Sequence, residues 1–208
     1  MSIRITTLGN GLRVVTDEMA AVETVSVGVW VAVGTRHEAK EQNGISHLLE
    51  HMAFKGTERR SAQAIVEEIE DVGGHLNAYT GRENTAYFAK VLADDLPLAV
   101  DIIADILQNS TFDEQELKRE RAVIIQEIHQ AQDTPDDIIF DHFQEAAFPD
   151  QPMGRPVLGS AELVEGMERQ TIMDYMRGEY SAERIVLAAA GKLDHDAFVA
   201  AAEAAFTG

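Results

Sequence analysis

The segment from His47 to His51, with the sequence HLLEH, constrains this chain most, because it brings two imidazoles and a carboxylate together. At about 100° per residue, a helix would place His51 about 40° around its axis from His47, and Glu50 about 60° to the other side. All three side chains could then reach one metal ion. Imidazole nitrogens bind Zn²⁺, and a nearby carboxylate can accept a proton from water at an open coordination position. The segment therefore predicts metal-assisted hydrolysis.

Two histidines four positions apart also occur by chance in helices that bind no metal, and short motifs produce false positives. The surroundings favour a helix, because Leu48 and Leu49 give it an apolar side, Gly44 precedes it and Gly56 follows it. The order H-x-x-E-H is the inverse of the commoner H-E-x-x-H and is a zinc-peptidase signature. On the pentapeptide alone, a zinc site and a coincidence are about equally supported.

A zinc ion bound by two histidines needs a further protein ligand. Residues 112–132 are predicted to form a helix, with Asp113 as its N-cap and apolar residues at helical spacing. Glu120 and Glu127 lie about two turns apart at the margin of this apolar stripe, so both are predicted to lean inward. The alternative is that both are solvated and pair with neighbouring Lys or Arg side chains, as helical glutamates usually do.

Composition restricts the metal chemistry and the partners. The chain has no cysteine, which excludes disulfides and thiolate ligands and leaves histidine and carboxylate ligands. The net charge of −19 opposes binding to nucleic acid and favours basic ligands, although an acidic surface can also serve solubility alone. No signal peptide is recognisable, and the longest apolar run, Val25 to Val33, is too short to span a bilayer. We therefore expect a soluble, cytoplasmic protein with no membrane association.

The arrangement of strand and helix signals predicts the fold class. The chain has 208 residues, is 45% hydrophobic and is expected to form one domain over residues 1–208. Strands and helices interleave without regular βαβ alternation, which predicts an α+β fold with helices packed on a mainly antiparallel sheet. The predicted strands are residues 3–6, 13–16, 23–33, 75–80, 87–92 and 185–190, and the predicted helices are residues 61–72, 97–108, 112–132, 136–147 and 197–206.

Four segments carry a family resemblance: GTRHE at 34–38, GISHLLEHMAFKGT at 44–57, LNAYT at 76–80 and ERAVIIQEI at 120–128. In this order they resemble the N-terminal half of the M16 peptidases, the pitrilysin and mitochondrial-processing-peptidase group, especially its bacterial processing-peptidase-like members. The resemblance implies a zinc metalloendopeptidase in which His47, His51 and Glu127 bind Zn²⁺ and Glu50 is the general base. It also implies that Glu120 supports a ligand without touching the metal.

The same resemblance implies how a peptide binds. The strand through Asn77, Ala78 and Tyr79 resembles an edge to which an extended substrate adds by main-chain pairing. Phe54 resembles the residue that lines the pocket for the side chain just after the cleaved bond. A phenylalanine at a helix end is, however, more often part of the core.

An acidic pair is the third element of this predicted substrate site. Asp137 and Asp141 resemble two family positions that accept an arginine upstream of the cleaved bond, although the first is usually Glu in the family. A preference for basic residues near that bond is therefore expected, and a solvated acidic surface is the alternative.

The resemblance further implies partners and an alternative function. The expected partners are an extended or unfolded polypeptide and a homologous second half or subunit that closes the cleft, with a homodimer as another assembly. Without that half, weak or no activity is expected. The alternative function is a non-catalytic partner or scaffold subunit, which the intact motif residues disfavour. Manganese or cobalt could replace zinc in the cell.

Overall fold

The computed structural model describes residues 3–207, and its central element is a six-stranded sheet. The strand order is β1-β2-β6-β3-β5-β4. Only the β2–β6 pair among these is parallel; the other neighbours are antiparallel. The expected α+β fold with a mainly antiparallel sheet is thus confirmed. The strands are β1 Ile3–Thr7, β2 Arg13–Glu18, β3 Thr24–Val31, β4 His75–Thr80, β5 Thr85–Leu92 and β6 Ile185–Gly191.

Eight α-helices accompany this sheet in the described part of the chain, and none is long and apolar enough to cross a membrane. The sequence did not predict α6 and α7, because α6 is short and α7 is mostly polar, with only Ile172 and Tyr175 buried. The helices are α1 Ile45–Ala53, α2 Ala62–Asp71, α3 Leu96–Gln108, α4 Glu114–Asp133, α5 Pro135–Ala147, α6 Ala161–Gly166, α7 Arg169–Glu179 and α8 His195–Ala205.

Alternating side chains of the central strands build the core. In β3, Val25, Val27, Val29 and Val31 are buried on one face, and α3 packs against both β3 and β5. Each fully buried aliphatic side chain contributes about 1.5–3 kcal/mol from removal of apolar surface from water. The opposite face is less covered, as the partial exposure of Trp30 shows. The hydrophobic alternation therefore fixes which side of the sheet carries the helices.

Strand β4 is the end strand of the sheet and lies beside α1. Its residues alternate: Leu76, Ala78 and Thr80 are half-buried, whereas Asn77 and Tyr79 are exposed. Successive side chains of a strand point to opposite faces, so Thr80 lies on the same face as Ala78. No described strand covers the outer edge of β4, which leaves this edge available for pairing.

Candidate metal centre and active site

Helix α1 carries the HLLEH segment, and a buried carboxylate anchors its first turn. Glu38 Oε1 accepts a hydrogen bond from the amide of Ser46 (2.8 Å), and Oε2 accepts from the amide of Gly44 and the side chain of Asn43 (both 2.9 Å). These bonds satisfy amides that a helix start leaves without partners. Gly44 has φ +100°, and a Cβ there would lie 2.8 Å from the carbonyl oxygen of Leu158. The start of α1 is therefore fixed before His47.

The three predicted metal ligands converge in the structure. Nε2 of His47 and Nε2 of His51 each lie 3.7 Å from Oε2 of Glu127, and one ligand atom from each residue falls within 4.8 Å of the others. A tetrahedral zinc ion with bonds of about 2.0–2.1 Å would separate two ligand atoms by about 3.4 Å. The donor set and spacing therefore fit one zinc ion. Within residues 3–207, this is the only cluster of three or more His, Asp or Glu side chains that could bind a metal ion. With three protein ligands, a fourth coordination position remains for water or substrate.

The two histidines are held in different ways. Nδ1 of His51 lies 2.9 Å from Oε2 of Glu120, and Oε1 of Glu120 lies 2.8 Å from Nζ of Lys55. With Nε2 facing the metal position, Nδ1–H of His51 donates to Glu120, an arrangement that orients a metal ligand. Nδ1 of His47 is buried and has no hydrogen-bond partner among the described residues. Packing therefore orients His47, whereas hydrogen bonding orients His51.

The electrostatics of the site suit neutral imidazoles beside a carboxylate. Burial, with a smaller effect from neighbouring His51, lowers the pKa of His47 to about 4. His47 is thus neutral at pH 7, which is the form that binds a metal. Burial raises the pKa of Glu50 above its ordinary value, although hydrogen bonding to Thr80 and the nearby His51 act in the opposite direction. A carboxylate with a raised pKa is a stronger proton acceptor.

The hydroxyl of Thr80 donates a hydrogen bond to Oε2 of Glu50. No role for Thr80 or Lys55 was predicted from the sequence, although both lie within the segments that carry the family resemblance. The strand alternation around Ala78 was a usable signal for Thr80, because it places Thr80 on the same face of β4. Nothing local indicated that this face meets α1.

Four of the predicted peptide-binding residues lie on the edge strand β4 and at the end of α1. The amide of Ala78 donates to Oδ1 of Asn77 (2.8 Å), so a side chain occupies this backbone donor. Tyr79 is 45% exposed. Phe54, which ends α1, is half-buried against the core, with its ring centroid 6.3 Å from that of Tyr87. Phe54 therefore combines core packing with partial exposure beside the metal-binding helix.

The two predicted acidic residues on α5 have different surroundings, because only Asp141 forms an ion pair within the chain. Nη2 of Arg82, which follows β4, lies 2.7 Å from Oδ1 of Asp141, and Nε of Arg82 donates to the carbonyl oxygen of Met153 (3.1 Å). Asp137 is exposed. Both aspartates therefore lie on one helix, but Asp141 is already paired with a cation of the same chain, Arg82.

Residues 13–161 match the sequence model of the family described as Insulinase (Peptidase family M16). The chain is 48% identical over 98% of its length to "Probable mitochondrial-processing peptidase subunit beta, mitochondrial" of Arabidopsis thaliana. It is 44% identical over 99% of its length to "Uncharacterized zinc protease" of Rickettsia felis. It spans only 38% and 50% of these two relatives, respectively.

Solved structures support the same fold. A protease from Helicobacter pylori superposes with a TM-score of 0.94 at 24% identity, over 99% of this chain and 50% of that chain. The "peptidase M16 inactive domain" from Pseudomonas fluorescens superposes with a TM-score of 0.92 at 16% identity, over 100% of this chain and 50% of that chain. At these identities the likeness concerns the fold alone. The family match and the curated relatives establish that the chain belongs to peptidase family M16.

Proposed function

We propose that this chain is the catalytic half of a zinc-dependent metalloendopeptidase that hydrolyses extended or unfolded polypeptides. The observation that carries this proposal is the convergence of His47, His51 and Glu127 beside Glu50. A zinc ion bound there would polarise a peptide carbonyl and increase the nucleophilicity of water. Glu120 would keep the His51 ring oriented toward the ion through its 2.9 Å contact with Nδ1.

Glu50 is the proposed general base and general acid of the reaction. It lies on the same helix as both histidines, so its carboxylate is positioned to accept a proton from the attacking water. The same carboxyl group can then donate that proton to the leaving amine. Burial next to His51 disfavours a purely solvated role for Glu50.

An extended main chain is the proposed substrate form. The free outer edge of β4 can pair with a peptide backbone, a mode that makes few demands on side chains. The exposed carboxylate of Asp137 and the −19 net charge favour basic residues in that peptide. The side-chain oxygen of Asn77 would have to release the amide of Ala78 before a peptide carbonyl could replace it.

A second, homologous half is proposed to close the cleft. The chain spans 38% to 50% of the length of the relatives described above, and β4 would hold a peptide from one side only. A misplacement of about 1 Å can lower a rate on the order of 10²-fold. Closure by the second half would reduce such misalignment and exclude water.

The direct test measures metal content and peptidase activity in the same sample. We expect about one zinc ion per chain, and we expect cleavage of an unstructured basic peptide that chelation abolishes and added zinc restores. Parallel reconstitution with manganese and cobalt identifies the metals that support turnover. A fully metal-loaded and correctly assembled protein that leaves the peptide intact would favour the non-catalytic subunit instead.

A second comparison tests the role of the proposed second half. Residues 1–208 alone, the same chain with a homologous second half added, and a covalently joined two-half protein are assayed on the same peptide. We expect low activity from the first sample and higher activity from the other two. Equal rates in all three would show that this chain needs no second half.

A further inference from the structure

The general base and the proposed peptide-binding strand are joined by one side-chain hydrogen bond. Thr80 is the last residue of β4, and its hydroxyl donates to Oε2 of Glu50, which lies 30 positions earlier in the chain. No second side-chain donor to this carboxylate is found within residues 3–207. The hydroxyl of Thr80 also lies 3.4 Å from the carbonyl oxygen of Ser46, in the first turn of α1. Thr80 therefore connects the edge strand to the helix that carries the metal ligands.

We propose that Thr80 is a positioning residue that holds the Glu50 carboxylate in the orientation needed for proton transfer. This inference rests on the proposed peptidase function. A glutamate side chain has several rotatable bonds, and fixing them costs on the order of 1–2 kcal/mol. A general base must lie within about 2.6–3.2 Å of the proton donor it serves. A hydrogen bond that selects one carboxylate orientation in advance therefore raises the fraction of bound peptides that can react.

The position of Thr80 makes this orientation depend on β4. Among residues 3–207, β4 pairs with a strand on one side only, where Thr80 faces Thr85 of β5, and its outer edge has no strand neighbour. A peptide that adds to the free edge restrains the strand on its second side. The Thr80 hydroxyl, and with it Glu50, is thus best ordered when the substrate is in place. Substrate binding and base positioning are coupled through this one contact.

The test compares Thr80→Val, which keeps the shape and removes the hydroxyl, with Thr80→Ser, which keeps the hydroxyl. Both are assayed in the zinc-loaded protein in its most active assembly. We expect kcat of Thr80→Val to fall on the order of 10-fold, a part of the 10²- to 10⁴-fold that a general base supplies, while KM stays within about twofold. Thr80→Ser should restore most of kcat. Thr80→Ala provides a second hydroxyl deletion should the valine disturb folding.

Thr16→Val is the matched control. Thr16, a buried threonine of β2, likewise has a hydroxyl that is hydrogen-bonded to a side chain, Nδ1 of His195, at 2.6 Å. Three strands, β6, β3 and β5, separate β2 from β4 in the sheet. This variant should lower thermal stability without changing kcat. If kcat falls in Thr80→Val and not in Thr16→Val, the loss cannot be attributed to the general cost of deleting a hydrogen-bonded hydroxyl from a strand.

Two measurements are independent of turnover. Zinc affinity of Thr80→Val, measured by competition with a chelator, should equal that of the wild type, because Thr80 contacts no metal ligand directly. A crystal structure of the variant should show the Glu50 carboxylate displaced or in several conformers.

A double variant tests whether the two residues act together. In a Glu50→Gln background, Thr80→Val should cause no further loss of kcat, because both changes act on one function.

The outcomes separate this inference from the proposed function. Wild-type kcat in both Thr80→Val and Thr80→Ala, with Glu50→Gln inactive, would overturn the role of Thr80 and leave the peptidase assignment intact. Loss of zinc from Thr80→Val, or an equal loss in Thr80→Ser, would also overturn it, because the effect would then be structural. An active Glu50→Gln variant would instead contradict the proposed mechanism itself.

Discussion

Glu120 holds Nδ1 of His51 at 2.9 Å, on the side of the imidazole ring opposite the nitrogen that faces Glu127. Two glutamates of one helix thus contact the same histidine at its two nitrogens. The buried carboxylate of Glu120 is also paired with Lys55 at 2.8 Å. These two contacts fix the carboxylate of Glu120 behind the ring, whereas the half-buried carboxylate of Glu127 faces the metal position.

This arrangement predicts different effects of removing each charge. Glu127→Gln should nearly empty the zinc site, because it removes one of three protein ligands. Glu120→Gln should lower zinc affinity or activity by roughly 10- to 100-fold, because only the orientation of His51 is weakened. Zinc dissociation constants from chelator competition give the order. Loss of zinc from Glu120→Gln with zinc retained by Glu127→Gln would reverse the two assignments.

Replacement of Glu50 by glutamine should separate metal binding from chemistry. Glutamine keeps the shape and can still accept the hydrogen bond from Thr80, but it cannot take a proton from water. Zinc stoichiometry should stay at the wild-type level while the peptidase rate falls on the order of 10²- to 10⁴-fold. Both quantities are measured on one preparation, and near-wild-type turnover would contradict the role of Glu50 as the base.

Removal of Arg82 should strengthen any preference for basic peptides. In Arg82→Gln, Asp141 loses its internal partner and becomes available to an arginine of the substrate. An ion pair with this degree of exposure is worth about 0.4–1 kcal/mol, so the kcat/KM ratio of an arginine peptide to its glutamine analogue should rise about two- to fivefold. Arg36→Gln, which breaks the exposed pair with Glu83, is the control and should leave the ratio unchanged.

An unchanged ratio in Arg82→Gln would show that Asp141 does not receive the basic residue of the substrate. Any preference for basic residues would then depend on Asp137 or on the general negative charge of the chain. Asp137→Asn in the same assay separates these two possibilities, because it removes one exposed carboxylate and changes the net charge by only one unit.

The stability of the protein in acid should depend on Asp105. Although burial alone would raise its pKa, hydrogen bonds from Asn109, Thr57, Arg60 and Arg59 together hold the pKa of Asp105 below its ordinary value. The stabilisation is therefore present above the unfolded-state pKa of about 3.9 and is lost as the pH falls through the lower folded-state pKa. Urea midpoints measured from pH 7 downward should decline most steeply below about pH 4.

Asp105→Asn tests this origin of the acid sensitivity. At pH 7 it should lower the free energy of unfolding by about 1.5–3 kcal/mol, the range for hydrogen bonds to charged groups. It should also flatten the decline in acid relative to the wild type. Glu203→Gln, an exposed substitution on α8, should change neither quantity. An equally steep acid decline in Asp105→Asn would assign the sensitivity to other carboxylates.

Helical periodicity and capping made much of the fold predictable. The stripe of Leu117, Ile124 and Ile128 is buried as expected, and the Asp113 side chain caps α4 by accepting from two amides. These are local properties, because a residue three or four positions away on a helix is a spatial neighbour. The strands of the central sheet were predictable for the same reason, since alternation with a period of two needs no knowledge of the partner strand.

The separate roles of the two α4 glutamates had no such local basis. Glu120 and Glu127 lie on nearly the same side of α4, so periodicity gives both the same inward direction, and the family resemblance alone distinguished them. The difference arises from the way α4 crosses α1: Glu127 meets Nε2 of both histidines, and Glu120 reaches Nδ1 of His51 from behind. That crossing depends on side-chain packing across the whole core.

The sequence alone determined that two imidazoles and a carboxylate lie together, because His47, Glu50 and His51 are close neighbours on one side of a single helix. Tertiary structure decided what surrounds that turn. Thr80 meets Glu50 across 30 positions, and Arg82 meets Asp141 across 59. The first contact exists because burial of apolar side chains brings β4 and α1 together, and this process is non-directional and leaves no trace in the local spacing of polar residues. The second exists because α5 packs beside α4, where Asp141 comes within reach of Arg82.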